Sequence, residues 1–160
     1  MQNPNSGFTY SSARAELLAV LSPLLPGSLT RLFFSNSGAE ANDAAIKLAR
    51  KVTGKPRIVS ATGSFHGRTL NTLSVSGGSA NAQRFPPQYA YTDFVEFGQP
   101  AVIDDALCSD DIAAVIVEPI QGEGGVRIPP REYLSEVARL CRDRGVLSQR
   151  QSSVTCWSMM

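Results

Sequence analysis

The chain has 160 residues, with 15 Lys and Arg against 14 Asp and Glu, a formal net charge of +1, 42% hydrophobic and 18% charged residues. That length suits one domain around one core, the composition excludes a disordered chain, and a near-neutral, scattered charge excludes a field steering it to nucleic acid or an anionic membrane. No apolar run approaches the ~20 residues that cross a bilayer, and the opening MQNPNSGFTYSS lacks the basic and apolar regions of a secretory signal. Three cysteines, Cys108, Cys141 and Cys156, form no C-x-x-C pair and are odd in number, which points to a reducing compartment, the cytoplasm or an organelle matrix. The lone histidine, His66, has no carboxylate or thiol cluster beside it from which a metal site would be built.

In chain order, a first helix is predicted from about Ser12 to Leu21, with Ala15, Leu18, Ala19 and Leu25 facing inward and Pro23 and Pro26 ending it. Arg31–Ser35 is a short apolar run fit for a buried strand. The helix after it is the strongest signal in the chain. Ala41, Ala44, Ala45, Leu48, Ala49 and Val52 recur at helical spacing as one apolar stripe, and Gly54 and Pro56 stop the helix. Ser37 and Glu40 stand in the S-x-x-E relation of a capping box. The remaining N–H groups of that first turn make a site for a phosphate or carboxylate, with Gly38 allowing close approach and Glu40 placing a negative charge nearby.

Arg57–Ala61 is the next strand, and a parallel crossover sheet follows from the strand-helix-strand order. Ligands in such sheets lie beyond the carboxyl ends of the strands. There the chain places Thr62–Thr69, a polar loop with one aromatic, Phe65, and Arg68. Leu70–Val75 reads as a short helical piece, Ser76–Pro87 as a long connection, Val95–Phe97 as a strand and Ala101–Leu107 as a helix. Ala113–Val117 is a continuous β-branched and small apolar run, a strand covered on both faces. It ends in Glu118, followed by a glycine-rich loop with Gln121 and Glu123. A carboxylate directly after five apolar residues needs a partner if buried. The last helix spans about Arg131 to Asp143, with Leu134, Val137, Ala138 and Cys141 on one face, Cys141 as a small core residue. Val146-Leu147 begins a strand, whereas Ser148–Met160 is polar and aperiodic and is expected to stay loose.

Three stretches, NSGAEAN (Asn36–Asn42), SFHGRT (Ser64–Thr69) and VEPIQGEGG (Val117–Gly125), in this order and spacing, resemble the class III aminotransferases, the ornithine, acetylornithine and 4-aminobutyrate type. The resemblance covers about Phe33 to Leu147. It implies an α/β fold, the large domain of fold type I pyridoxal 5'-phosphate (PLP) enzymes in part, over residues 1–147, with 148–160 as a tail foreign to the family. It implies PLP as cofactor, with Ser37, Gly38 and Ala39 on its phosphate, Phe65 stacked on its ring and Glu118 among the cofactor-binding set. Arg68 and Glu123 are implied to serve substrate binding, the substrates being an amino acid and a 2-oxo acid, and full-length members are implied to be homodimers. Neither G-x-G-x-x-G nor G-x-x-x-x-G-K-[ST] follows any predicted strand, which disfavours a nucleotide-binding domain.

The family's aspartate on the pyridine nitrogen and its lysine on the cofactor aldehyde fall beyond Leu147 in its pattern. The lysines here are Lys47, Lys51 and Lys55, all on the central helix or its exit. The expectation is a fragment or frame-shifted product of an aminotransferase gene, inactive by itself for lack of that amine. The alternative is a non-catalytic product that binds a partner or fails to fold.

Overall fold

The computed structural model describes residues 10–25, 31–77, 91–151 and 155–158, with backbone alone for 150, 151 and 155–158. The chain divides into two compact units, Met1–Phe34 and Ser35–Met160. The first contains helix α1 (Ser12–Leu21), whose N-cap Ser11 accepts from the Arg14 amide, and a 3-10 turn at Ser22–Leu24 built on Pro23. The helix bounds match the sequence expectation, but its inward face does not: no residue of α1 is buried, and Ala15 and Ala19 are exposed. Its apolar residues are spread around the axis, so no single stripe forms for burial. Arg31–Ser35 is not a strand either. An apolar run becomes a strand only when a neighbour supplies ladder bonds, and none of the described strand pairs includes it.

The second unit is a sheet with helices on both faces. Its elements are α2 (Gly38–Thr53), β1 (Arg57–Ala61), α3 (Leu70–Ser74), β2 (Thr92–Val95), α4 (Pro100–Ala106), β3 (Ile112–Val117), α5 (Tyr133–Asp143), β4 (Leu147–Gln151) and β5 (Thr155–Ser158). The strand order is β2-β1-β3-β4-β5; the first three pairings are parallel and β4 with β5 is antiparallel. Helices α3, α4 and α5 each carry the chain from one parallel strand to another, as such crossovers require.

Strand periodicity divides the core. Val59, Ala61, Val115 and Val117 pack with Ile103 and Leu107 near α4 and with Tyr133, Val137, Leu140 and Cys141 of α5. Ile58, Ala114 and Ile116 turn the other way, onto Ile46 and Ala49 of α2 and onto Val75. A register shift between Arg57 and Ile58, paired with Ile112 and Ala114, puts Ile112 on the same side as Val115. At the start of the sheet, Arg57 pairs with Asp93 at 2.8 Å and with Asp111 at 3.0 Å, tying three strands together at the end away from the loops of interest.

The central helix forms where expected, but its buried face is turned. Asn42, Ala45, Ile46 and Ala49 are buried, whereas Leu48 and Val52 are 45% and 60% exposed. The buried face thus takes in polar Asn42 and leaves apolar Leu48 and Val52 facing outward. Gly54 closes the helix in the left-handed region, at φ +69°, where a residue without a Cβ is favoured. Arg131 lies just before α5 and not in it, and the strand expected at Val95–Phe97 runs earlier, at Thr92–Val95. Much of the long connection Ser76–Pro87 lies outside the described residues.

The expectation for Ser148 onward is corrected as well. Leu147–Gln151 pairs in parallel with β3, Ser148 opposite Val115 and Gln149 opposite Ile116, and Thr155–Ser158 adds an antiparallel edge. Ladder bonds come from the backbone, so a polar strand pairs when its inward side chains find partners. Leu147 packs on the α2 side, and Gln149, two residues on, meets Asn42 there.

Candidate functional site

The sequence from Asn36 to Glu40 makes its own helix entrance. Ser37 lies in extended conformation (φ −154°, ψ 162°) and its Oγ accepts from the Glu40 amide at 3.2 Å, while its carbonyl accepts from the Ala41 amide at 3.0 Å. Glu40 reaches back with Oε2 to the Asn36 amide at 2.7 Å, one residue earlier than a standard capping box. That bond folds the carboxylate back on the turn, against the Asn36 amide. Of the N–H groups that a helix start leaves without intrahelical acceptors, that of Glu40 is satisfied by the Ser37 side chain, and those of Gly38 and Ala39 have no acceptor among the described residues. A Cβ placed on Gly38 would meet nothing within 4 Å, so these amides are open to a ligand.

The loop after β1 is seated against this entrance. Gly67, at φ +133°, lies so close to α2 that an added Cβ would come within 2.6 Å of the Ala39 Cβ and 2.9 Å of its Cα. Asn42 Nδ2 donates to the His66 carbonyl at 2.8 Å, one turn into the helix. Beneath the loop, Ser60 Oγ donates to the Val75 carbonyl at 2.6 Å and lies 3.2 Å from His66 Nε2. Because the one hydroxyl proton of Ser60 goes to Val75, His66 Nε2–H is the donor in that contact. His66 is 1% exposed and donates its amide to Ser76 Oγ at 2.9 Å, so the lone histidine is a structural residue of the loop.

The third stretch arrives from β3. The Phe65 amide donates to Glu118 Oε1 at 3.4 Å, while Glu118 Oε2 is buried with no partner among the described residues. Glu118 is 7% exposed. Burial pushes its carboxyl up to about 7, opposed by the Phe65 amide and assisted by the like charge of Glu123. Beyond it, Gln121 and Arg127 exchange both backbone hydrogen bonds at 3.0 Å and close the loop that carries Glu123. Gln121 Nε2 donates to the Thr62 carbonyl at 2.9 Å, and Arg127 pairs with Glu96 at 2.7 Å and lies over the Phe97 ring. The Arg127 hydrogen bond, aided by one from Thr62, holds Glu96 below the usual carboxylate range.

Gly38, Ala39, Phe65 and Glu118 are therefore brought to one edge of the sheet by direct contacts between their loops. Ser37 caps the helix beside them; Arg68 and Glu123 are exposed on the flanking loops. Asn42, Gln121, Arg127 and Gln149 hold the arrangement, and of these the sequence reading named Gln121 alone, as the amide of the glycine-rich loop. Asn42 and Gln121 stood inside the quoted motifs, and a polar residue within the buried face of a helix was the available signal for Asn42; the Arg127–Glu96 pair spans 31 residues and left none. The three described lysines, Lys47, Lys51 and Lys55, lie elsewhere: at a 1.5 Å rise, Lys47 and Lys51 sit roughly 14 and 20 Å along the axis from Gly38, and Lys47 pairs with Asp43 at 3.1 Å. Among the described residues no three His, Cys, Asp or Glu side chains group as metal ligands, and no helix is long and apolar enough to cross a membrane.

The site fits a phosphorylated aromatic cofactor on its own terms. Two open amides at the positive end of a 16-residue helix suit a phosphate. A half-buried aromatic and a buried carboxyl with an unpartnered oxygen suit a flat polar ring.

Comparison with known proteins agrees. The family model described as aminotransferase class-III matches residues 4–148. Acetylornithine aminotransferase of Methanothermobacter thermautotrophicus is 46% identical over 143 residues, 89% of this chain and 36% of that protein. Putrescine aminotransferase of Pectobacterium atrosepticum is 42% identical over 142 residues, 84% of this chain and 30% of the relative. Ornithine aminotransferase of Toxoplasma gondii, in a structure with PLP at partial occupancy at its active site, superposes with a TM-score of 0.80 at 28% identity, over 89% of this chain and 35% of that one. The chain thus spans about a third of the length of the relatives it matches.

Proposed function

This chain belongs to the class-III aminotransferases, and from that premise we infer that it forms the phosphate and ring end of a PLP site. The reaction served is transfer of an amino group from a donor such as acetylornithine, ornithine or 4-aminobutyrate to a 2-oxo acid. One observation carries this reading: the two amides left open at the start of α2 belong to Gly38 and Ala39, and the loop bearing Phe65 is wedged against that same turn.

The residues divide the work. The Gly38 and Ala39 amides, with the Ser37 hydroxyl beside them, bind the phosphate. Phe65 covers the ring, and Glu118, held to the Phe65 amide, is the buried carboxyl beside it. Arg68 and Glu123, both exposed, are available to substrate carboxyl and amino groups. When bound, the cofactor supplies an electron sink for the bond-breaking at the substrate α-carbon. These 160 residues turn over no amino donor alone on this reading, because the lysines lie along α2 away from its entrance and none reaches the aldehyde.

Gly38→Pro is the test. Proline suits the first position of a helix, and the extended Ser37 before it tolerates one, so the fold is kept while one amide is removed. Losing a hydrogen bond to a charged group, worth ~1.5–3 kcal/mol, weakens binding about 10- to 100-fold. Equilibrium dialysis with pyridoxamine 5'-phosphate is expected to show that loss, and unchanged affinity contradicts the reading. The inactive state has its own check: a PLP absorbance band that survives exhaustive dialysis would mean that a lysine does reach the aldehyde.

A further inference from the structure

A line of buried amides runs from the last strands to the loop that carries Phe65. Gln149, 1% exposed, donates from Nε2 to Asn42 Oδ1 at 2.7 Å, and Asn42, 0% exposed, donates from Nδ2 to the His66 carbonyl at 2.8 Å. The His66 carbonyl needs a donor. Turned by half a rotation about its last bond, the Asn42 amide would set its oxygen against that carbonyl and its NH₂ against the Gln149 NH₂. With Gln149 donating to its oxygen, the Asn42 amide satisfies both neighbours in this orientation.

What this orientation secures is the seat of the loop. Phe65, whose amide faces Glu118, precedes His66, and Gly67, packed on Ala39, follows it. The family model ends at residue 148, so the side chain that fixes Asn42 comes from a part of this chain that the model does not describe. Its register is set by β4, which puts Leu147 and Gln149 on the face toward α2.

We propose that Gln149 is a positioning residue for the cradle: by holding Asn42 in the orientation that fastens the His66 carbonyl, it seats Phe65 and Gly67 against the open end of α2. The ligand part of this proposal rests on the cofactor reading above; the mechanical part does not.

The full chain and its Gln149→Leu variant are compared by amide hydrogen exchange without ligand, and by equilibrium dialysis with pyridoxamine 5'-phosphate. The variant is expected to exchange at residues 64–67 at least tenfold faster than wild type, with α5 and β1 unchanged, and to bind about five- to tenfold more weakly. Asn42→Ala is expected to give the same loss, and the double variant no further one, since the two act as a unit. Equal loop exchange in wild type and Gln149→Leu overturns the proposal. If the variant does not fold, wild type decides: added pyridoxamine 5'-phosphate should slow exchange at 147–149 together with 64–67. Protection confined to the loop, or none anywhere while dialysis shows binding, would then make Gln149 scaffold and overturn the proposal too. Absence of binding by a wild-type chain whose loop does depend on Gln149 would instead refute the cofactor reading and leave the mechanical link standing.

Discussion

Glu118 shows how one residue reports on the site without any ligand. Its carboxyl is raised from 4.5 to about 7, burial being the main cause, so the folded chain holds a proton that the unfolded chain releases. Its contribution is therefore fully present below pH 4.5, declines between 4.5 and 7, and is gone above 7, up to about 3 kcal/mol in all. Carboxylates held low by hydrogen bonds, Asp111 by Ser109 and then Arg57, Glu96 by Arg127 and Glu136 by Arg139, change in the opposite direction at lower pH. The contrast with a neutral isostere isolates Glu118. Urea unfolding of wild type and Glu118→Gln is expected to give similar stabilities at pH 4.5 and a variant more stable than wild type by about 1–3 kcal/mol at pH 7.5. A gap of the same size at both pH values would mean the carboxyl does not titrate as its burial implies. Sequence made Glu118 legible because a carboxylate after five apolar residues is conspicuous. Gln149 was not, since its role shows only through a partner 107 residues away.

At the scale of elements, the entrance of α2 separates stability from binding. Ser37 satisfies one amide with its side chain, so Ser37→Ala removes a cap worth ~1 kcal/mol. The melting temperature is expected to fall by roughly 2–4 °C, the shift that such a loss gives a chain of this size. Gly38→Pro should retain its melting temperature while losing affinity. A Ser37→Ala chain that melts at the wild-type temperature would mean that the cap bond is not held in solution. The helices and the strands β1 and β3 were legible because their signals are local: caps, breakers and a continuous apolar run. Arg31–Ser35 and Leu147–Gln151 went the other way for one shared reason. Pairing depends on a neighbour's backbone and on what lies across the face, neither of which side-chain polarity along the strand reports.

For the whole molecule, the turned face of α2 decides how the chain behaves in solution. The apolar stripe read from the sequence is wider than what the sheet covers: Ala45 and Ala49 are buried, while Leu48 and Val52, four residues apart, stand open at 45% and 60% exposure. Leu70 at the start of α3 is 68% exposed, and Ile120, Val126 and Ile128 are exposed around the Glu123 loop. With a net charge of only +1, little long-range repulsion opposes contact between copies. Apolar surface of this extent favours association, so sedimentation velocity at rising concentration is expected to show species larger than 17.1 kDa. The double variant Leu48→Glu, Val52→Glu places two good helix formers at exposed positions, so it should keep the helix while shifting the distribution toward monomer. A wild-type chain that sediments as one monodisperse monomer would show that the open stripe is too small to drive contact. A double variant that associates as strongly as wild type would move the contact to the loop around Glu123.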